Sequence, residues 1–235
     1  MSVRISGPTG ILRSGTTVEN EPIIKSDGAG EIMQWLASTG GDNITIDESA
    51  SNKLSLSVGS LEVGHGAGGD TDSTALGKTA LDSSAAGAIK NTAIGANALT
   101  AIDDTDGNTA VGYNALTAFT GDYGTAIGYN AAENATSAVR LVAIGKAAAP
   151  NLQGGDNNTA VGASSLGTIA GTDNVAVGYV ALNANSGNQN TAIGRSALQS
   201  FTGGNAVAVG YAAADSAGSQ TNLVAVGRDA RGTRH

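Results

Sequence analysis

The chain has no cysteine, which excludes a disulfide framework and any thiolate metal site. Aromatic residues are 3% of its 235 positions and prolines number three. Few large side chains are therefore on hand to fill a wide core. Histidine occurs twice, as His65 and His235, so imidazole acid–base catalysis is poorly supplied. Positive charge is scarce too. The net charge of −8 argues against nucleic acid and anionic membranes as partners. The imbalance is uneven: residues 1–72 carry ten acids and four bases, residues 73–235 ten acids and eight bases. No 18-residue apolar run occurs, so no membrane insertion is expected. The opening Met1-Ser2-Val3-Arg4-Ile5 lacks the apolar stretch of an export signal.

What the chain does have is glycine, 35 residues of it, ten of which mark a repeat. They are Gly77, Gly95, Gly112, Gly128, Gly145, Gly162, Gly178, Gly194, Gly210 and Gly227, spaced 16 to 18 residues apart. Alanine stands two residues before every one of them, Val, Ile or Leu one before, and a β-branched residue three before. A steady period of this size means one small unit stacked on itself. The branched–Ala–branched triplet reads as a short strand, ended by a glycine where the backbone needs positive φ or close approach.

Past the glycine the pattern resumes. Three residues on, nine of ten are alanine, and four on, six are leucine: Leu81, Leu99, Leu116, Leu166, Leu182 and Leu198. Both phenylalanines, Phe119 and Phe201, fall seven residues on, and Gly121, Gly154, Gly171, Gly187 and Gly203 fall nine on. The repeat thus predicts strand, turn, strand, turn: one coil of a parallel β-roll. At about 4.8 Å per rung, ten coils make a rod about 50 Å long. Glycine in every 16-residue window argues against a helix.

Each coil is expected to turn inward one Val/Ile, one Leu and one residue at the second corner. The residues so assigned to the core or to an inter-chain interface are Ile94, Val111, Phe119, Ile127, Ile144, Val161, Val177, Ile193, Phe201, Val209 and Val226. That area is small. At about 25 cal/mol per Å² it barely offsets backbone ordering of about 1–2 kcal/mol per residue. Packing against copies in a closed ring, a homotrimer, is the expected remedy.

Residues 1–58 read differently. They hold Pro8, Pro22 and the only tryptophan, Trp35, with short alternations at Val3/Ile5, Ile44/Ile46 and Leu54/Leu56/Val58. This predicts a small N-terminal β domain, with Glu31–Leu36 as either strand or helical turn. Residues 59–72 are expected to be a Gly-rich joint, 73–231 the repeat shaft, and 232–235 a tail. The fold class is all-β: a small β domain followed by a parallel solenoid.

These residues resemble the repeats of two families. Val142-Ala143-Ile144-Gly145-Lys146-Ala147-Ala148 resembles the head repeat of trimeric autotransporter adhesins, which implies a left-handed parallel β-roll with three chains to a head. Asn108-Thr109-Ala110-Val111-Gly112-Tyr113-Asn114-Ala115-Leu116 is more similar to repeats in bacteriophage tail fibres. The resemblance covers residues 73–231. An adhesin is expected to carry an export signal, a coiled-coil stalk and a membrane anchor, and this sequence shows none, which favours the fibre. The segment from Ile23 through Trp35 and Asn43–Ile46 also resembles the virion-attachment end of fibre proteins. The resemblance implies a homotrimer assembled in the host cytoplasm and carried on the virion. Its N-terminal end would dock on a tail or baseplate protein. The distal end would meet either a tip protein or a host-surface glycan. A bacterial adhesin head and a glycan-depolymerising tailspike are the alternatives.

Three groups of residues are candidate sites. Gly64-His65-Gly66-Ala67-Gly68-Gly69 fits GxGxxG, but a repeat strand follows instead of a helix, so a flexible turn is expected. Asp103, Asp104 and Asp106 precede Gly107 as clustered Ca²⁺-type ligands. They lack the further spaced ligands and the distal bidentate Glu, so a solvated turn is favoured. No carboxylate pair at glycosidase spacing can be named, no cofactor is implied, and no enzyme is expected. Directly after the repeat glycines stand Lys78, Ala96, Tyr113, Tyr129, Lys146, Ala163, Tyr179, Arg195, Tyr211 and Arg228. Tyr113, Tyr129, Lys146, Tyr179, Arg195, Tyr211 and Arg228 form a candidate glycan-facing edge. The same side chains also suit a packing and solubility role, which is the favoured one.

Overall fold

The computed structural model describes residues 72–82, 88–101, 104–167, 171–184 and 187–234, and the backbone of five strands between residues 23 and 64. Those five are β1 (Ile23–Lys25), β2 (Met33–Leu36), β3 (Ile44–Asp47), β4 (Ser55–Val58) and β5 (Leu61–Gly64). They pair antiparallel in sequence order, with Trp35 opposite Ile24 on one side and Ile44 on the other. Residues 33–36 are therefore strand, not helical turn. Strand β5 lies inside the segment expected to be a joint, and it pairs antiparallel with both β4 and the first shaft strand. Val3 and Ile5 fall outside the described residues.

From residue 74 onward the sheet turns parallel. Ten strands follow, one per repeat: β6 (Thr74–Leu76), β7 (Thr92–Ile94), β8 (Thr109–Val111), β9 (Thr125–Ile127), β10 (Val142–Ile144), β11 (Thr159–Val161), β12 (Val175–Val177), β13 (Thr191–Ile193), β14 (Val207–Val209) and β15 (Leu223–Val226). Neighbours pair in strict repeat register, for example Thr125–Ile127 on Val142–Ile144. The shaft is a β-solenoid, and no helix occurs among the described residues.

The interior corrects one expectation. The middle alanine of each strand points inward, and the branched residues on either side point out. Ala93, Ala110, Ala126, Ala143, Ala160, Ala176, Ala192 and Ala208 have no exposed surface. Ile94, Ile127, Ile144, Ile193 and Val226 are exposed by 36 to 68%, and Val111, Val161, Val177 and Val209 are half-buried. A three-residue strand turns only one face inward for its central residue. The coil is narrow, and its opposite wall already holds the leucines, so only a methyl fits there. Phe119 and Phe201, with Leu81, Leu99, Leu116, Leu166, Leu182 and Leu198, are fully enclosed within one chain. The interior is thus closed without a partner, and what stays open is the outer β-face.

A second correction concerns the other half of each coil. It is a run of turns, not a strand. Residues two and four past the glycine take left-handed φ, as at Asn97 (57°) and Leu99 (54°), or Ser196 (58°) and Leu198 (50°). Such φ is costly for leucine. Here it is imposed by enclosure of the side chain and by inter-coil hydrogen bonds. Asn97 N–H donates to Lys78 C=O on the preceding coil at 3.0 Å, and Leu99 N–H to Ala115 C=O on the following coil at 3.0 Å.

The repeat glycines stand where they must. Gly77 has φ 136°, and a Cβ there would lie 2.6 Å from the carbonyl carbon of Gly95. The same approach recurs from coil to coil up to Gly210.

A polar column inside the shaft was not foreseen. Four residues before the repeat glycines, Asn91, Asn108, Asn158, Asn174 and Asn190 are completely buried. Each side-chain oxygen accepts the next coil's backbone N–H at the same position, as from Asn108 to Asn91 and from Asn190 to Asn174. Each side-chain amide donates to a carbonyl at the second corner, such as Gly121, Gly171, Gly187 or Gly203. The signal was present in the sequence as asparagine at a constant offset.

At the far end, β16 (Thr233–Arg234) folds back antiparallel on β15. The expected tail therefore includes an edge strand, which covers part of the last parallel edge.

Candidate functional site: a stacked tyrosine and arginine edge

The residue after each repeat glycine opens the turn that follows the strand. Because coils stack in register, these residues form one column along a corner of the shaft. Tyr113, Tyr129, Tyr179 and Tyr211 are about half exposed there, at 45 to 53%. Lys78, Lys146, Arg195 and Arg228 are exposed as well, and Ala96 and Ala163 are half-buried.

The rings stack along the shaft. Tyr113 and Tyr129 lie 5.4 Å apart between ring centres and 15° from parallel. The Arg195 guanidinium sits between Tyr179 and Tyr211, 5.6 and 5.7 Å from their ring centres. Arg228 caps the other face of Tyr211 at 5.2 Å and is ion-paired with Asp229 at 3.2 Å. Coil spacing of about 4.8 Å is close to the stacking distance of flat groups, so register alone brings these faces together. Each exposed cation–π contact contributes about 0.5–1 kcal/mol.

The structure therefore gathers all seven residues of the candidate glycan edge into one column. Most of their ring faces are already covered by one another. Both faces of Tyr211 are occupied by guanidinium groups. The column carries four cations and no acid, against a chain of net charge −8.

Asp103 and His65 lie outside the described residues. Asp104 is exposed at φ 51°. One oxygen of Asp106 accepts the Ile89 N–H at 2.9 Å, and the Asp106 N–H donates in turn to Asp122. Asp106 thereby serves a backbone ladder, and no group of three potential metal ligands occurs among the described residues. Gly64, the first residue of the GxGxxG stretch, ends β5, and β6 begins at Thr74. A groove of about 500 Å³ lies against the last two coils, with Asp215, Asp229 and Arg231 on its walls. No helix of the described residues is long and apolar enough to cross a membrane.

Compared with family models, curated proteins and solved structures, the chain has no significant match to any.

Proposed function

We propose that the chain is a structural fibre subunit of a bacteriophage tail, contributing to attachment of the virion to its host. In this reading residues 1–58 dock on a tail or baseplate protein and the shaft projects outward as part of a homotrimer. One observation carries it. The outer face of the parallel sheet carries a long column of Ile and Val, exposed at Ile94, Ile127, Ile144, Ile193 and Val226 and half-buried at Val111, Val161, Val177 and Val209. Contiguous apolar surface of this kind marks a site of protein association. The column also runs the full length of a rod that has closed its interior, as a subunit packing side by side with its copies requires. The resemblance of residues 108–116 to tail-fibre repeats supplies the biological setting.

The test is the mass of the native particle. A species three times the 22.9 kDa chain mass is expected in sedimentation equilibrium. It should be lost in the double substitution Ile127→Glu with Ile144→Glu, with far-ultraviolet circular dichroism unchanged because both side chains point out. A monomeric wild type removes the reading. Adsorption of the labelled trimer to host cells, without shortening of their surface polysaccharide, separates a fibre from a depolymerising tailspike.

A further inference from the structure

The stacked column is interrupted twice, and both interruptions are built alike. Reading along the shaft, Lys78, Ala96 and Tyr113 occupy three successive coils, and so do Lys146, Ala163 and Tyr179. One face of Tyr113 is taken by Tyr129, and one face of Tyr179 by Arg195. In each case the opposite face looks along the column toward an alanine, and among the described residues no second ring or guanidinium lies against that tyrosine. Beyond the alanine stands a lysine, and neither Lys78 nor Lys146 has an acidic partner among the described residues. The result is two slots. Each has an alanine floor, an exposed tyrosine face as one wall and an exposed ammonium as the other. The walls are two coils apart, about 10 Å between backbone positions.

Apolar carbons pack at about 3.5–4 Å, so the space over each alanine admits one flat ring, the thickness that Tyr129 fills above Tyr113. A pyranose offers a C–H face to a tyrosine. If it carries a carboxylate, that group is directed to the ammonium across the floor. We propose that Ala96 and Ala163 mark twin binding slots for acidic sugar units of a surface polysaccharide, each unit stacked on Tyr113 or Tyr179 and ion-paired with Lys78 or Lys146. The slots are four coils apart, about 19 Å. A polymer with acidic units at that interval engages both, and the second contact forms at the high effective concentration set by the first. The proposal rests on the adhesive reading above and names the ligand class for it.

The experiment uses the full chain and hexagalacturonate as the acidic probe, with its fully methyl-esterified form as the neutral control, in isothermal titration at low salt. Wild type is expected to bind the acid at least tenfold more tightly than the ester. The double variant Ala96→Tyr with Ala163→Tyr fills both slots with a residue that four other coils carry at the same position, so its fold is preserved. It is expected to lose binding at least tenfold with an unchanged melting curve. Lys78→Gln with Lys146→Gln is expected to abolish the preference for acid over ester. The proposal is overturned if wild type binds neither probe, if the ester binds as well as the acid, or if the slot-filled variant binds like wild type. Host-cell adsorption separates the two readings. If the slot-filled variant adsorbs as well as wild type, the slots fail and the adhesive reading survives. If wild type itself does not adsorb, the adhesive reading fails.

Discussion

The backbone N–H of Asn190 donates to the side-chain oxygen of Asn174, one coil below, at 3.0 Å, with both residues completely buried. The relationship repeats along two runs: Ser73, Asn91, Asn108 and Gly124, then Asn158, Asn174, Asn190 and Ala206. Between the runs, Leu141 occupies the same column. The ladder is where the turn after the second corner meets the strand, and there a buried backbone N–H needs an acceptor. Asparagine supplies both an acceptor for the next coil and a donor for the corner carbonyl.

Asn174→Leu tests that role without a change of shape class, since leucine is native in this column. It orphans the Asn190 N–H, at a cost of about 1–3 kcal/mol, and removes the Asn174 amide from the Gly187 carbonyl. The expected result is a clearly lower denaturation midpoint and faster hydrogen exchange at Asn190 and its neighbours. Exchange around Asn91 should stay as in wild type, because stability in a solenoid passes mainly between adjacent repeats. Unchanged exchange at Asn190 would show that the ladder contributes nothing.

Gly145 has φ 131°, and a Cβ there would lie 2.7 Å from the carbonyl carbon of Gly162. Gly145→Ala therefore combines a left-handed strain with a backbone collision in the middle of the shaft. A loss of about 3 kcal/mol or more is expected. Gly154→Ala is the matched control. Its φ of 75° carries the strain alone, with nothing within 4 Å of the added methyl. If the two variants melt together, close approach between coils is not what demands the repeat glycine.

Arg195 bridges two tyrosines from an exposed position, so its contribution should be modest and pairwise. A double-mutant cycle of Arg195→Gln with Tyr211→Leu is expected to give a coupling of about 0.5–1 kcal/mol, the range for exposed cation–π contacts. A coupling near zero would mean that the two side chains merely share a corner.

Much of this architecture was legible in the sequence. The period, the ten strands, the repeat glycine and the enclosed Leu and Phe columns follow from residue type at constant offset. The two faces of the strand did not. A branched–Ala–branched triplet fits a pleated strand whichever face is buried, and apolar preference points to Ile144 over Ala143. The structure decides the other way because the coil has room for a methyl only. The turn-rich half of the coil was also hidden, since Leu99 and Leu198 adopt a backbone that leucine avoids in isolation and accepts here under tertiary enclosure. On the corner column, residue types were readable, yet only the stacking geometry shows which ring faces are taken and which are open.

That reversal of faces gives the sharpest mutational contrast. Ala143 has no exposed surface and Ile144 is 36% exposed, one residue apart on β10. Ala143→Val raises β-propensity but inserts two methyl-sized groups into a closed interior. Overpacking of this kind costs about 1–3 kcal/mol. Ile144→Thr, on the outer face, is expected to leave the single-chain fold intact, since threonine already occupies that face at Thr125 and Thr159. Its effect should appear in the association equilibrium, as weaker assembly at low protein concentration. Thermal melts of both variants across a hundredfold dilution separate the two terms. Ala143→Val should shift the curve equally at every concentration, and Ile144→Thr only where assembly limits stability. If instead Ile144→Thr is destabilising at all concentrations and Ala143→Val is neutral, the strand is turned the other way round and the interior has been assigned to the wrong face.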